Sequence, residues 1–191
     1  MKIGDRNSGV KIEDLLDSDE FLSRRHKDQD VAERQSRAIE RLRTCSFQSS
    51  NAALQEVVQI ALEFCDADSA GVSLEEVNEK GELQFRWIAV AGSFAPYLNG
   101  TTPRFYSPCG SCIDRGVALH YQVNHRYYNF LGVNAEPIRD GILIPLRCED
   151  MLGTFWVVSH STEDAFDRHD YEFLRSIADL VSRSIRDHSQ I

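Results

Sequence analysis

Gly141-Ile142-Leu143-Ile144-Pro145-Leu146-Arg147-Cys148 and Thr154-Phe155-Trp156-Val157-Val158-Ser159-His160 are two strand-like runs joined by a tight turn at residues 149–153. A connection that short leaves the two strands antiparallel. A helix with a well-marked start follows them. Asp167 can N-cap, Asp170 stands at the third helical position as in a capping box, and Phe166 can staple onto Tyr171. Its apolar face runs Leu174, Ile177, Ala178, Val181, Ile185, and no C-cap glycine closes it.

Upstream, Ala70–Val77 and Glu82–Ala91 read as a hairpin around Asn78-Glu79-Lys80-Gly81. Alternation puts Phe85, Trp87, Ala89 and Ala91 on one side of the second strand and Arg86, Ile88 and Val90 on the other. Ala118–Val123 is a third strand. Gly92–Gly116, with three prolines, is long enough for a lid or binding loop, and Asn124–Arg139 reads as irregular. Before the hairpin, a helix from about Ala52 to Cys65 carries a wide apolar face suited to a sheet. Val31, Gln35, Ala38, Leu42 and Cys45 form a narrower seam suited to helix–helix contact. The expected fold is α+β: a central antiparallel sheet of about five or six strands, terminal helices on one face, and a loop-covered pocket on the other. Residues 1–30 are expected to form a polar arm or short helix, 31–47 a helix of a dimer bundle, and 48–191 the globular unit.

The 191 residues carry 21 Lys+Arg against 30 Asp+Glu, a net charge of −9, so the field of the molecule repels phosphate and nucleic acid is not an expected partner. Residues 1–30 hold no apolar signal-like core, and no stretch approaches the ~20 apolar residues of a bilayer span. A cytoplasmic protein with no membrane partner is expected. Five cysteines are an odd count, and free, mostly buried thiols are the default reading.

Ser107-Pro108-Cys109-Gly110-Ser111-Cys112-Ile113-Asp114-Arg115-Gly116 reads as a two-turn helix, with Ser107 as N-cap, Pro108 at N1 and Gly116 just past its end. Cys109 lies in the first turn, where the helix dipole lowers a thiol pKa, and Cys112 can share its face. The pair is either a redox couple or two small apolar residues under the sheet. Structural zinc needs two closely spaced ligand pairs, and only one exists; His120, His125 and Cys148 are scattered, so no metal site is expected. No catalytic triad, phosphate loop or paired-carboxylate motif is present, so the chain does not read as an enzyme. The aromatic residues concentrate mid-chain. They could line a concavity for a small planar ligand, with Arg104, Ser111, Asn129, Arg139 and Thr154 as polar groups, or simply fill a second core.

Several of these segments together resemble a GAF domain, of the kind found in bacterial sensor histidine kinases and related signalling proteins. They are Ala70-Gly71-Val72-Ser73-Leu74, Pro108-Cys109-Gly110 with Asp114-Arg115-Gly116, Ile142-Leu143-Ile144-Pro145-Leu146, and Leu152–His160 followed by Phe166-Asp167 and Asp170. The resemblance spans about Gln48–Ile185. It implies signal transduction through a ligand pocket and dimerisation through the terminal helices. Bilin-binding relatives attach chromophore to a Cys usually followed by His, whereas Cys109 precedes Gly110 and Cys112 precedes Ile113. The Asn-Lys…Phe…Asp-Glu pattern of cyclic-nucleotide-binding relatives is not found.

The expected function is a non-catalytic sensory domain. Its expected ligand-binding residues are Trp87, Phe105, Cys109, Cys112, His120, Tyr121, Tyr127, Phe130, Thr154 and Trp156. Expected partners are an unidentified small molecule, a second copy of the chain, and a histidine kinase or other signalling protein; no cofactor is named by the sequence. The alternatives are a thiol oxidoreductase of the free methionine sulfoxide reductase type, using Cys109 and Cys112, and a structural dimerisation module without ligand.

Overall fold

A computed structural model describes residues 3, 8–24, 31–44, 50–148 and 151–188 of the protein. The hairpin anticipated over residues 141–160 lies at the centre of one antiparallel sheet. Its strands are β1 (Val10–Asp14), β2 (Ser69–Val77), β3 (Leu83–Gly92), β4 (Thr101–Pro103), β5 (Leu119–Val123), β6 (Asp140–Cys148) and β7 (Met151–Ser159), in spatial order β1-β5-β6-β7-β2-β3-β4. Seven strands exceed the expected five or six because β1 and the three-residue β4 extend the two edges.

The back of the sheet is covered by α2 (Val31–Thr44), α3 (Ser50–Phe64) and α6 (Arg168–His188), over a core containing Val57, Ala61, Val72, Ile142, Phe155, Leu174 and Val181. Phe64 of α3 and Phe173 of α6 stack with ring centroids 3.6 Å apart. The capping box of α6 forms as read: Asp167 Oδ1 accepts from the N–H of His169 at 2.7 Å, and the Asp167 N–H donates to Asp170 Oδ2 at 2.9 Å. Both staple residues, Phe166 and Tyr171, are buried. The narrow seam of α2 turns onto the same chain, with Ala38 buried and Val31 and Leu42 packed against the core shared with α3. Arg41 reinforces that contact through Glu56 and Glu63 of α3. Cys45, the last residue of the seam, lies outside the described residues.

The front of the sheet carries α4 (Pro108–Arg115) and α5 (His125–Leu131). Ser107 Oγ accepts the Gly110 N–H at 3.1 Å and Gly116 ends α4 at φ 69°, the caps that the sequence specified. The stretch read as irregular contains α5, capped by Asn124 and ended by Gly132 at φ 70°. The alternation expected of β3 fails at one point. Val72 pairs with Ala89 and Ser73 with Trp87, so Ile88 is the extra residue of a β-bulge. Phe85 and Trp87 therefore face the front, while Ala89 and Ala91 face the helices.

The N-terminal segment forms a strap. β1 pairs with β5, Leu15 and Phe21 enter the rear core fully buried, and the short helix α1 (Asp19–Leu22) is capped by Ser18. No described helix is long and apolar enough to cross a membrane.

Candidate functional site

Two glycines in the central strands make room for the floor of a cleft on the front face. A Cβ at Gly71 would meet Trp156 Cζ2 at 2.4 Å, and one at Gly141 would meet Tyr121 Cε1 at 2.5 Å. Without those side chains, the indole and the phenol ring lie flat on the strands beside their own. The Trp156 Nε1–H donates to Ser73 Oγ at 3.0 Å, which fixes the indole plane. Above this floor stand Trp87 and Phe94 on one side and Tyr127 and Tyr128 of α5 on the other, and Phe105 and Phe130 stand exposed at the rim. The cleft is about half open to solvent, and its volume is about 1190 Å³, against the ~300–1,000 Å³ usual for ligand sites.

The expected site residues divide. Trp87, Phe105, Cys109, Tyr121, Tyr127, Phe130 and Trp156 line the cleft together. His120 does not: successive residues of a strand point to opposite faces, and with Leu119 and Tyr121 in front, His120 faces the back, where it meets Asp140 and Phe21. Cys112 is on the buried side of α4, its Sγ 3.4 Å from the Val117 carbonyl. Thr154 is also fully buried and is paired in register with Ser73. Of the polar groups expected, Arg104 alone borders the cleft. Ser111 bonds back to Ser107, and Arg139 pairs with Glu163. Phe94, Tyr106 and Tyr128, members of the mid-chain aromatic group that are not among the expected ligand-binding residues, line the cleft as well.

The thiols are not prepared for nucleophilic work. Burial raises the Cys109 pKa, outweighing the hydroxyls of Thr154 and Ser73 and its own N–H, which favour the thiolate. Burial also raises Cys112, with Cys109 adding to the effect. The phenols of Tyr121, Tyr127 and Tyr128 are likewise pushed up by burial, so they stay neutral.

The architecture is that of an α+β sensory-type domain: one antiparallel sheet, helices behind, a loop-covered cleft in front. The chain belongs to the GAF domain family, whose model matches residues 50–185. Among solved structures it is similar to the GAF domain of a Coxiella burnetii phosphoenolpyruvate-protein phosphotransferase (13% identity, 86% of this chain and 97% of that one, TM-score 0.66). It is also similar to the free methionine-R-sulfoxide reductase of Neisseria meningitidis in complex with its substrate (15% identity, 88% and 97%, TM-score 0.57). A third similar structure is a phycoerythrobilin-bound GAF domain from a cyanobacterial phytochrome (14% identity, 85% and 98%, TM-score 0.52). At these identities the likeness is one of fold. Among curated proteins none matches significantly by sequence.

Proposed function

We propose that the protein is a non-catalytic sensory domain that holds a small organic molecule in the front cleft and reports its presence through the helices behind the sheet. The observation that carries this reading is the cleft itself. After Trp156 and Tyr121 have been seated over Gly71 and Gly141, a half-open cleft of about 1190 Å³ remains, running from α5 to the β2–β3 turn and residues 100–109, so the rings line a space rather than fill it. That favours ligand binding over a purely structural module. The alternative of thiol oxidoreduction is disfavoured by two buried thiols with raised pKa values.

The strap offers a route from cleft to helices. At its start, the Gly9 carbonyl accepts the Asn124 N–H at 2.9 Å and the Ser8 carbonyl accepts the Tyr106 hydroxyl at 3.4 Å, both beside the cleft wall. At its end, Arg24 donates to the Phe166 carbonyl at 2.9 Å, next to the cap of α6. A ligand that moves α5 or Tyr106 therefore acts on both ends of one short segment. Output to a second copy of the chain or to a signalling partner such as a histidine kinase, in the cytoplasm, completes the proposal. Because the α2 seam is occupied within the chain, a dimer would have to use other surfaces of the helical layer.

Native mass spectrometry of freshly purified protein, paired with a thermal-shift panel of small aromatic compounds, tests the reading. The expected result is a reproducible bound mass or a compound that raises Tm. No bound mass and no shift across the panel would sink it.

A further inference from the structure

Large apolar side chains left in water occur singly on most protein surfaces and need no explanation there. On this protein they are gathered. Of the eleven among the described residues, five line the front cleft: Leu83, Tyr97, Phe105, Phe130 and Val133. A sixth, Leu98, adjoins Tyr97 in the chain. The floor beneath them is apolar as well, with Trp156, Tyr121 and Val158 buried. Apolar surface thus extends from the floor of the cleft to its mouth, and a patch of that kind marks a surface that something covers.

Phe105 and Phe130 are the most exposed of the five, at 78% and 61%. The backbone of Phe105 is pinned by both neighbours. Arg104 is buried and bonded to Glu75, to Asp114 Oδ1 at 2.7 Å and to the Gly110 carbonyl at 3.3 Å. Tyr106 donates its hydroxyl to the Ser8 carbonyl at 3.4 Å, and its carbonyl accepts the Tyr127 hydroxyl at 2.9 Å. Between them the Phe105 ring has the Arg104 guanidinium 5.4 Å from its centroid and keeps most of its surface in water. Phe130 stands near the end of α5, its ring centroid 4.6 Å from that of Tyr106. Both phenylalanines therefore neighbour Tyr106, at one part of the mouth. Rings so exposed add little to the fold. A molecule confined to the floor would leave them wet, and the flat face of a protein laid across the mouth would cover them and leave the floor empty. A molecule lying along the cleft covers both, and every apolar surface it takes from water tightens its binding.

Resting on the reading of the cleft as a ligand site, we infer that its ligand is a long, mainly apolar molecule lying from the Trp156–Tyr121 floor out to the mouth, and that Phe105 and Phe130 hold its outer part, setting affinity rather than the fold. Both tryptophans of the chain, Trp87 and Trp156, line the cleft, so their emission reports its occupancy. Fluorescence titration of the full chain with phenylpropanol, phenylhexanol and phenyloctanol, each with a terminal hydroxyl, tests the inference. The three probes share a ring and a hydroxyl and differ only in length.

A fully buried methylene tightens binding about fourfold, and one in a half-open cleft about twofold, so phenyloctanol is expected to bind about thirtyfold more tightly than phenylpropanol. Phe105→Ala and Phe130→Ala should each weaken phenyloctanol about tenfold and leave phenylpropanol unchanged, which also shows the floor to be intact. Each should shift Tm by no more than about 3 °C, as expected of an exposed ring. If a variant does not fold, the length series on the unaltered protein still decides. Equal affinity for the three probes, phenyloctanol binding unchanged in both variants, or equal weakening of phenyloctanol and phenylpropanol overturns the inference, and phenylpropanol binding then leaves the cleft reading standing. If none of the three alters the emission, both fall together.

Discussion

His120 Nε2 lies 2.5 Å from Asp140 Oδ1, on the sheet face opposite the cleft. The other oxygen of that carboxylate takes Arg24 Nη1 at 2.9 Å and the Phe166 N–H at 2.9 Å. One buried carboxylate thus ties together β5, β6, the N-terminal strap and the entry to α6. Burial alone would raise the Asp140 pKa. His120, the Phe166 N–H and Arg24 outweigh it and hold the group below its ordinary value.

Asp140→Asn should accordingly cost about 1–3 kcal/mol at neutral pH, because it removes the buried carboxylate from Arg24, which keeps Asp164 as a charge partner, and from His120. Urea unfolding at pH 7 measures this. In the unaltered protein the contribution is full above the unfolded carboxylate pKa and disappears as pH falls from about 4 through the lowered folded value. The variant should lack that part of the acid transition. An unchanged acid profile would show that Asp140 does not carry it.

Asp170 behaves in the opposite sense. Burial, with the Asp167 charge adding to it, pushes its pKa up to about 7, against the Asp167 N–H and Arg34. The folded form therefore holds a proton that the unfolded chain releases near pH 4, and stability should fall as pH rises from about 4 to 7, then level off. Asp170→Asn retains an oxygen for the Asp167 N–H and should flatten this slope. At pH 8 it should be more stable than the parent by on the order of 2–4 kcal/mol. Parallel denaturation curves at pH 5 and 8 would expose the error if parent and variant shift alike.

Gly71→Ala and Gly141→Ala each push a methyl group into a ring of the cleft floor, at 2.4 Å from Trp156 and 2.5 Å from Tyr121. Each should lower stability by about 1–3 kcal/mol and alter near-ultraviolet circular dichroism, since the rings must leave their planes. Thermal unfolding together with the spectrum checks this, and an unchanged aromatic spectrum would count against the seats described.

Cys109 and Cys112 should resist iodoacetamide in the native protein at pH 7.5, becoming reactive only in denaturant, because burial raises both pKa values. Peptide mapping after timed alkylation distinguishes these cysteines from Cys45 and Cys148. Rapid native labelling of Cys109 would restore the oxidoreductase reading.

What the sequence made legible was local. The caps of α4 and α6 were readable because Ser107, Gly116, Asp167 and Asp170 act on backbone groups within a few residues of themselves. The bulge at Ile88 was not: nothing in residues 83–92 marks where alternation breaks, and the break depends on how β3 sits between the rear helices and Trp156. The missed α5 is a different failure, since Asn124 and Gly132 do bracket a helix and the tyrosines between them masked its periodicity. The five-residue β1, whose two apolar residues alternate with charged ones, needs β5 as a partner before it reads as a strand. The direction of His120 follows once Tyr121 is known to face the cleft.

The strap lies wholly outside residues 50–185, the part that matches the family. Trimming the protein to that recognised module would uncap β5, leaving a row of bare N–H and C=O groups open to a neighbouring molecule, and would take Arg24 from Asp140, leaving it only His120 and the Phe166 N–H beside an emptied berth for Phe21. Such a fragment should self-associate edge to edge, and ligand-binding or oligomer measurements made on it would describe that artefact rather than the domain.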